Sequence, residues 1–428
     1  MAERNILNDL FRRVVRNRRG QTPGLSTSGD LVKLCKDLLT DRGEISGLYR
    51  AQGILDRLDR STDAEKTAFF LRVARELGVD EDALTAAIAK WSPGDVDAAR
   101  DIHFAAEPRS QELIRALNRV PGATARLVGL RACLLSMLHD TPALRGLDRD
   151  FRHLFSSWFN RGFLHIHRID WSTPANILEK IIAYEAVHEI TGWDDLRQRV
   201  GDPDRRLFAF FHPAMPSEPL IFVEVALTGE IPGAIGDILR PDRSRFDPAQ
   251  ATTAVFYSIS NCQKGLSGIS FGNFLIKQVV TELQRELPDI TTFVTLSPVP
   301  LMRQWVMAAV ENGDPLISAE DRATLATLDK DARPPTELTV KLAARYLTRA
   351  KRQTGTAFDP VAHFHIGNGA ILQAIHPDAD PGPQGMLNSW GVMVNYQYDG
   401  TQIEARHQAY ATHQDIAMTP AVRALAKD

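Results

Sequence analysis

Cysteine is scarce. The 428-residue chain has three, Cys35, Cys133 and Cys262, and no two stand at a metal-site spacing. They fit reduced thiols in a cytoplasm, the compartment expected here. No run of about 18 apolar residues exists, which excludes a transmembrane helix. Charge of one sign is lacking as well. Fifty Lys and Arg against 53 Asp and Glu leave a net charge of −3, so nothing in it invites nucleic acid. The N-terminus has no apolar signal core. It carries Arg4, Arg12, Arg13, Arg16, Arg18 and Arg19 beside Leu7, Leu10, Phe11, Val14 and Val15. Glu3 and Asp9 argue against a transit peptide, and the stretch reads as a solvated helix with a basic face. Neither the Walker-A signature nor a proper Gly-x-Gly-x-x-Gly occurs in the glycine loop considered below.

What is present divides in two, and the length suits more than one domain. β-Branched runs are nearly missing from residues 1–159. Instead Leu31–Leu39 and Phe69–Leu77 carry apolar residues at helical spacing, and Ile114 to Leu117, Leu127 to Leu138 and Leu144 to Phe159 read as further helices. This region holds no nucleophile–base pair, and its expected role is structural or oligomerising. From about Asn160 strands appear: Phe163–Ile169, Leu207–His212, Leu220–Leu227 after a Pro213–Pro219 turn, and a last one over Gly391–Tyr398. Between strands, Thr173 caps a helix to Val187 with Pro174 at its first position. Residues 160–428 therefore read as a mixed α/β domain behind a helical domain at 1–159, an α+β architecture.

The second domain is organised around 252–300. Thr252–Ser260 is a β-branched and aromatic run, read as a buried strand. A loop with Gly265 and Gly268 follows, then a helix over Phe271–Leu287 and a strand over Thr291–Leu296. Glycines let a backbone approach a ligand closely, and a helix N-terminus favours an anion such as phosphate. Taken alone, the same loop reads first as a tight strand-to-helix turn with no ligand. Cys262 within it fits a small buried residue better than a nucleophile. Ser297, between Leu296 and Pro298, is held rigidly at a strand end, although by itself it reads first as an ordinary strand-terminating Ser-Pro turn. His363 and His365, at i and i+2, share one face if Asp359–Gly369 begins as a strand, with a short helix from about Ala370. A third metal ligand at a convincing spacing is missing, so no metal is expected. A histidine poised near its ordinary pKa is a candidate general acid or base.

Several stretches resemble malonyl-CoA decarboxylases. They are Pro216–Pro219 with Val225–Gly229, Phe256–Ser260, Gln263–Gly268, Phe274–Val280, Leu296–Pro300, Phe364–Ala370 and Val394–Tyr396, which stand in the family's order. The resemblance implies an N-terminal helical domain used in oligomer contacts and a catalytic domain similar to the GNAT acyltransferases. It implies that Gly265, Ser267, Gly268, Ile269, Ser270, Phe271, Gly272 and Asn273 contact malonyl-CoA. It makes Ser297 and His365 the catalytic pair, and matches Lys180 to a lysine the family needs for activity. Asn368 or backbone N–H groups near the loop are the candidate donors to the thioester oxygen, and the sequence does not choose between them. No cofactor is implied beyond malonyl-CoA and acetyl-CoA as substrate and product, and the implied assembly is a homo-oligomer, dimer or tetramer, without membrane or nucleic acid. Two departures stand out: Ser270 where the family often has Glu, and Leu301-Met302 where it often has Gly-Phe. The competing function is a GNAT-type acyltransferase, with Glu218 or Glu224 lining an acceptor cleft.

Overall fold

The structure, a computed structural model, describes residues 30–269, 274–328 and 332–427. The basic N-terminal stretch and four of the expected malonyl-CoA contacts, Ser270, Phe271, Gly272 and Asn273, lie outside the described residues. Two compact units emerge. One contains residues 30–164 with 212–218 and 263–269. The other contains 165–211, 219–262 and 274–427.

The first unit is helical up to Trp158, as its apolar spacing requires. Its helices bury one face each: Val32, Cys35 and Leu38 on Leu31–Thr40, Phe69, Phe70 and Val73 on Asp63–Glu76, and Phe151, Leu154 and Phe155 on Arg145–Trp158. Side chains cap several of their starts. Thr62 and Glu65 form a reciprocal capping box, and Asp95 accepts from the Ala98 amide.

The second unit is built on an eight-stranded mixed sheet: β1 (His165–Ile169), β2 (Arg205–His212), β3 (Met215–Thr228), β4 (Thr253–Asn261), β5 (Thr292–Thr295), β6 (Ser297–Pro298), β7 (Ile371–His376) and β8 (Met393–Tyr398). The order is β1-β2-β3-β4-β5-β8-β6, with β7 also on β8. The strands with both faces covered are the continuous apolar runs, β2 and the β3–β4 pair. β3 extends straight through the expected Pro213–Pro219 turn, so only Pro213 and Ala214 separate it from β2. Thr173 does not cap the following helix. Its hydroxyl accepts from the Asp170 amide, and the helix runs Ala175–Tyr184.

Two features of this sheet make room for a site. Opposite Glu224 and Val225 of β3, β4 presents Ser258 and Phe256, so Tyr257 is an extra residue in a β-bulge. β4 and β5 run parallel and stay paired only from Thr253/Thr292 to Phe256/Thr295. Past that point β4 continues along β3, while Ser297 and Pro298 pair with Val394 and Met393 of β8. Pro298 has no amide hydrogen with which to prolong a ladder. The sheet therefore opens between the end of β4 and β6.

The Asp359–Gly369 stretch is not a strand followed by a helix but the reverse. Pro360–Gly367 is a helix and Ile371–His376 is β7. Asp359 accepts from the amides of Val361 and Ala362, each at 2.9 Å, and Pro360 takes the first position. That Asp-Pro start outweighs the apparent His-Phe-His alternation. Gly369 ends the turn at φ +82°, with the Ile403 carbonyl too close for a side chain.

Candidate active site

A cavity of about 350 Å³ lies at the opening between β4 and β6. Its walls are mostly apolar, with Val187, Ile221, Phe256, Ile259, Val361 and Phe364 prominent. Ser297 and His365 reach it from the two elements that the irregular sheet brings together, β6 and the Pro360–Gly367 helix.

The pair is in contact. Ser297 Oγ is 3.3 Å from His365 Nε2, and both residues are buried, 5% and 3% exposed. Ser297 Oγ also donates to Thr295 Oγ1 at 2.8 Å, and Thr295 Oγ1 in turn accepts from the Tyr396 amide. On the other side of the ring, His365 Nδ1 meets the Tyr398 hydroxyl at 2.8 Å. The imidazole stacks on Tyr396 with centroids 4.7 Å apart. Each ring atom that can bond is thus held, and the orientation is set before any substrate arrives.

The expectation of a histidine near its ordinary pKa is corrected. Burial alone pushes His365 down to about 3, because the apolar surroundings disfavour the imidazolium. At neutral pH it is a neutral ring. Nor do the two histidines share a strand face: His363 turns to the Tyr410 hydroxyl at 2.8 Å.

The other expected residues are distributed differently. Asn368 does not line the cavity. It terminates the helix, with its side-chain amide donating to the Phe364 carbonyl at 2.8 Å. Lys180 is half-buried on the Ala175–Tyr184 helix and is not in the cavity wall. Gly265, Ser267, Gly268 and Ile269 belong to the helical unit. Gly265 is needed there for packing against protein, since a side chain would collide with the Val128 carbonyl. Gly268 sits at φ +74°, a left-handed position that suits glycine. Cys262 is buried, as its reading required.

Several contributors carry no local sequence signal. Arg131, 1% exposed, pins the glycine loop by donating to the carbonyls of Gly265 at 2.8 Å and Ser267 at 2.9 Å, while its Nε bonds Asp148. Behind the cavity wall, Glu224 is wholly buried rather than lining an acceptor cleft. Tyr257 donates to it at 2.7 Å, and Arg199 lies 3.4 Å away. Burial nevertheless pushes Glu224 up to about 8, with Arg199 opposing. Glu185 accepts from the Val187 and His188 amides and from Ser258 and Ser260, which fixes the segment carrying Val187. Only the alternation of Ser258 and Ser260 with apolar residues hinted at a polar layer there.

The fold and cavity are those of an α+β enzyme, with a buried serine–histidine pair at the cavity wall. Residues 162–428 match the malonyl-CoA decarboxylase C-terminal domain and residues 77–159 the N-terminal domain. The chain is 35% identical to the mitochondrial malonyl-CoA decarboxylase of Anser anser anser over 395 residues, 83% of this chain and 76% of that one. Against the Rattus norvegicus counterpart it is 31% identical over 430 residues, 92% and 85% of the two chains. The crystal structure of malonyl-CoA decarboxylase from Rhodopseudomonas palustris superposes with a TM-score of 0.88 at 48% identity, covering 92% of this chain and 98% of that one. That from Agrobacterium vitis gives 0.88 and 48%, covering 94% and 100%. The chain belongs to the malonyl-CoA decarboxylase family and is a carboxy-lyase.

Proposed function

We propose that this enzyme converts malonyl-CoA to acetyl-CoA and CO2 without a cofactor, through a thioester enolate protonated by the Ser297–His365 pair. The observation that carries the reading is the contact of these two buried side chains at the wall of an apolar cavity.

The chemistry asks for little else. When the malonyl C–C bond breaks, its electron pair moves into the thioester carbonyl, so the substrate is its own electron sink. A carboxylate transferred into apolar walls loses its hydration, whereas the transition state spreads that charge toward the thioester oxygen. A preorganised donor at that oxygen contributes roughly 3 kcal/mol. Asn261, a residue of the cavity wall, replaces Asn368 as the proposed donor, because the Asn368 amide is already committed. The enolate carbon then takes the Ser297 hydroxyl proton, which His365 Nε2 replaces. Such positioned proton transfer is worth roughly 10²–10⁴ in rate.

We assign the CoA contacts to Gly265, Ser267, Gly268 and Ile269, together with Ser270 to Asn273, on the family resemblance. Lys180 stands on the helix just before the segment that contributes Val187, and we propose it as a supporting residue. The helical unit is proposed to mediate a cytoplasmic homo-oligomer. It exposes Trp91, Val96 and Phe104 at 48%, 63% and 70%.

The test uses purified protein and carboxyl-labelled malonyl-CoA, with no metal and no acceptor, following CO2 and acetyl-CoA. Stoichiometric release, lowered at least 100-fold in kcat by His365→Asn and by Ser297→Ala with KM little changed, is the expected result. Losses falling equally on both parameters would make the pair a binding element. Absence of CO2 release would overturn the reading in favour of acyl transfer.

A further inference from the structure

We propose that Tyr398 is a positioning residue that fixes the tautomer of His365 and feeds protons to it from a second cavity. The proposal rests on the reading of Ser297 and His365 as the proton-transferring pair.

The polarity of the hydrogen-bond chain can be worked out from its far end. A serine hydroxyl has one hydrogen. Ser297 gives it to Thr295 Oγ1 at 2.8 Å. In its 3.3 Å contact with His365 Nε2, Ser297 Oγ must therefore accept, so Nε2 carries hydrogen. The ring is buried and neutral, hence Nδ1 holds a lone pair. The Tyr398 hydroxyl at 2.8 Å must donate to it. All three hydrogens point the same way, from Tyr398 through His365 and Ser297 to Thr295, and rotation of the Ser297 hydroxyl away from Thr295 turns the last one into the catalytic cavity.

Tyr398 also stands at the edge of a different space. A cavity of about 580 Å³ lies beside β5, β7 and β8, between the helices Phe274–Glu286 and Ile403–His413, and Tyr398 is in its wall. Polar and charged residues, Lys277, Gln284, Gln373, Asp399, Glu404 and Arg406, line it, in contrast with the apolar catalytic cavity. Water suits the second space better than the first.

This arrangement lets a histidine that resists becoming imidazolium still supply a proton. As the enolate carbon gains its C–H bond, the Ser297 O–H breaks. The Nε2 hydrogen moves to Ser297 Oγ, the Tyr398 hydrogen moves to Nδ1, and a water of the second cavity returns a proton to Tyr398. The hydroxide left behind exits to solvent. The ring only changes tautomer, and one solvent proton is consumed per CO2 released. Once product leaves, a water entering the emptied catalytic cavity gives Ser297 a proton, the Ser297 hydrogen returns to Nε2, the Nδ1 hydrogen returns to Tyr398, and Tyr398 releases its own to the second cavity, where it neutralises hydroxide, while the hydroxide formed in the catalytic cavity leaves. A transient phenolate is tolerable because the thioester enolate is a far stronger base.

The test combines kinetics with spectroscopy. Tyr398→Phe is expected to lower kcat at least tenfold with KM unchanged, and to make the residual rate rise with the concentration of a small buffer acid such as imidazolium. The parent rate should not respond. Gln373→Trp, which fills the second cavity without touching His365, should lower kcat in the same way. A kcat within twofold of the parent in either variant, or a loss in Tyr398→Phe that no buffer acid relieves, would overturn the proposal. 15N NMR of histidine-labelled parent protein needs no turnover. It should find His365 neutral with hydrogen on Nε2, and hydrogen on Nδ1 would overturn the proposal. Failure of the parent to release CO2 would instead strike the proposed function, while the tautomer measurement still decides the role of Tyr398.

Discussion

The neutral state of His365 makes a prediction about pH. With a folded pKa of about 3, only about one molecule in 10⁴ carries an imidazolium at pH 7. Were that cation the proton donor, kcat would fall about tenfold for each unit of pH above 4. A neutral ring that passes protons by changing tautomer has no such slope. We expect kcat, measured as CO2 release at saturating malonyl-CoA, to stay within about twofold from pH 5.5 to 8.5. The same burial sets the acid stability. In the unfolded chain the ring protonates at about 6.5, above the folded value of about 3, so its contribution is complete above pH 6.5 and is lost as pH falls toward 3. At pH 4.5 two units separate the pH from the unfolded pKa, which corresponds to roughly 3 kcal/mol. His365→Gln should remove that acid-sensitive part, narrowing the difference between urea midpoints at pH 7 and 4.5. A tenfold fall in kcat per pH unit, or a limb near 6.5, would refute the neutral-relay reasoning. An unaltered acid response in His365→Gln would refute the burial argument beneath it.

Glu224 has the opposite slope. Its folded pKa of about 8 lies above the unfolded 4.5, so its contribution is complete below pH 4.5 and is lost as pH rises through 8. Glu224→Gln should therefore flatten stability between pH 6 and 9, read from urea midpoints. Arg131→Met leaves the carbonyls of Gly265 and Ser267 and the Asp148 carboxylate without their donor, and should cost roughly 3 kcal/mol in thermal or urea unfolding. If the loop carries CoA, KM for malonyl-CoA rises in this variant more than kcat falls. Gly268→Ala should cost about 1–2 kcal/mol from its left-handed backbone alone. Gly265→Ala should cost more, because the Val128 carbonyl it would meet is backbone and can move only with its helix.

The sequence by itself determined the division into a helical half and a strand-bearing half, because helical spacing and β-branched runs are local properties. It singled out Ser297 and His365, through a Ser-Pro strand end and a histidine cluster read alongside the family resemblance. It misjudged the element carrying that histidine, since a five-residue alternation is weaker than an Asp-Pro helix start whose worth lies in two capped amides. It gave no sign that the backbone approaching Gly265 is that of Val128, 137 positions earlier in the chain. Only the tertiary structure decided the protonation state of the site. A pKa of about 3 comes from wrapping the imidazole in Tyr396, Phe364 and the sheet, contacts made by residues scattered along the chain. The same is true of the cavity, which exists because β5 parts from β4 after Thr295 and its continuation turns onto β8. Local chemistry selects the side chains that can transfer a proton. Burial and strand pairing, which depend on the whole fold, decide in which form they stand and what they face.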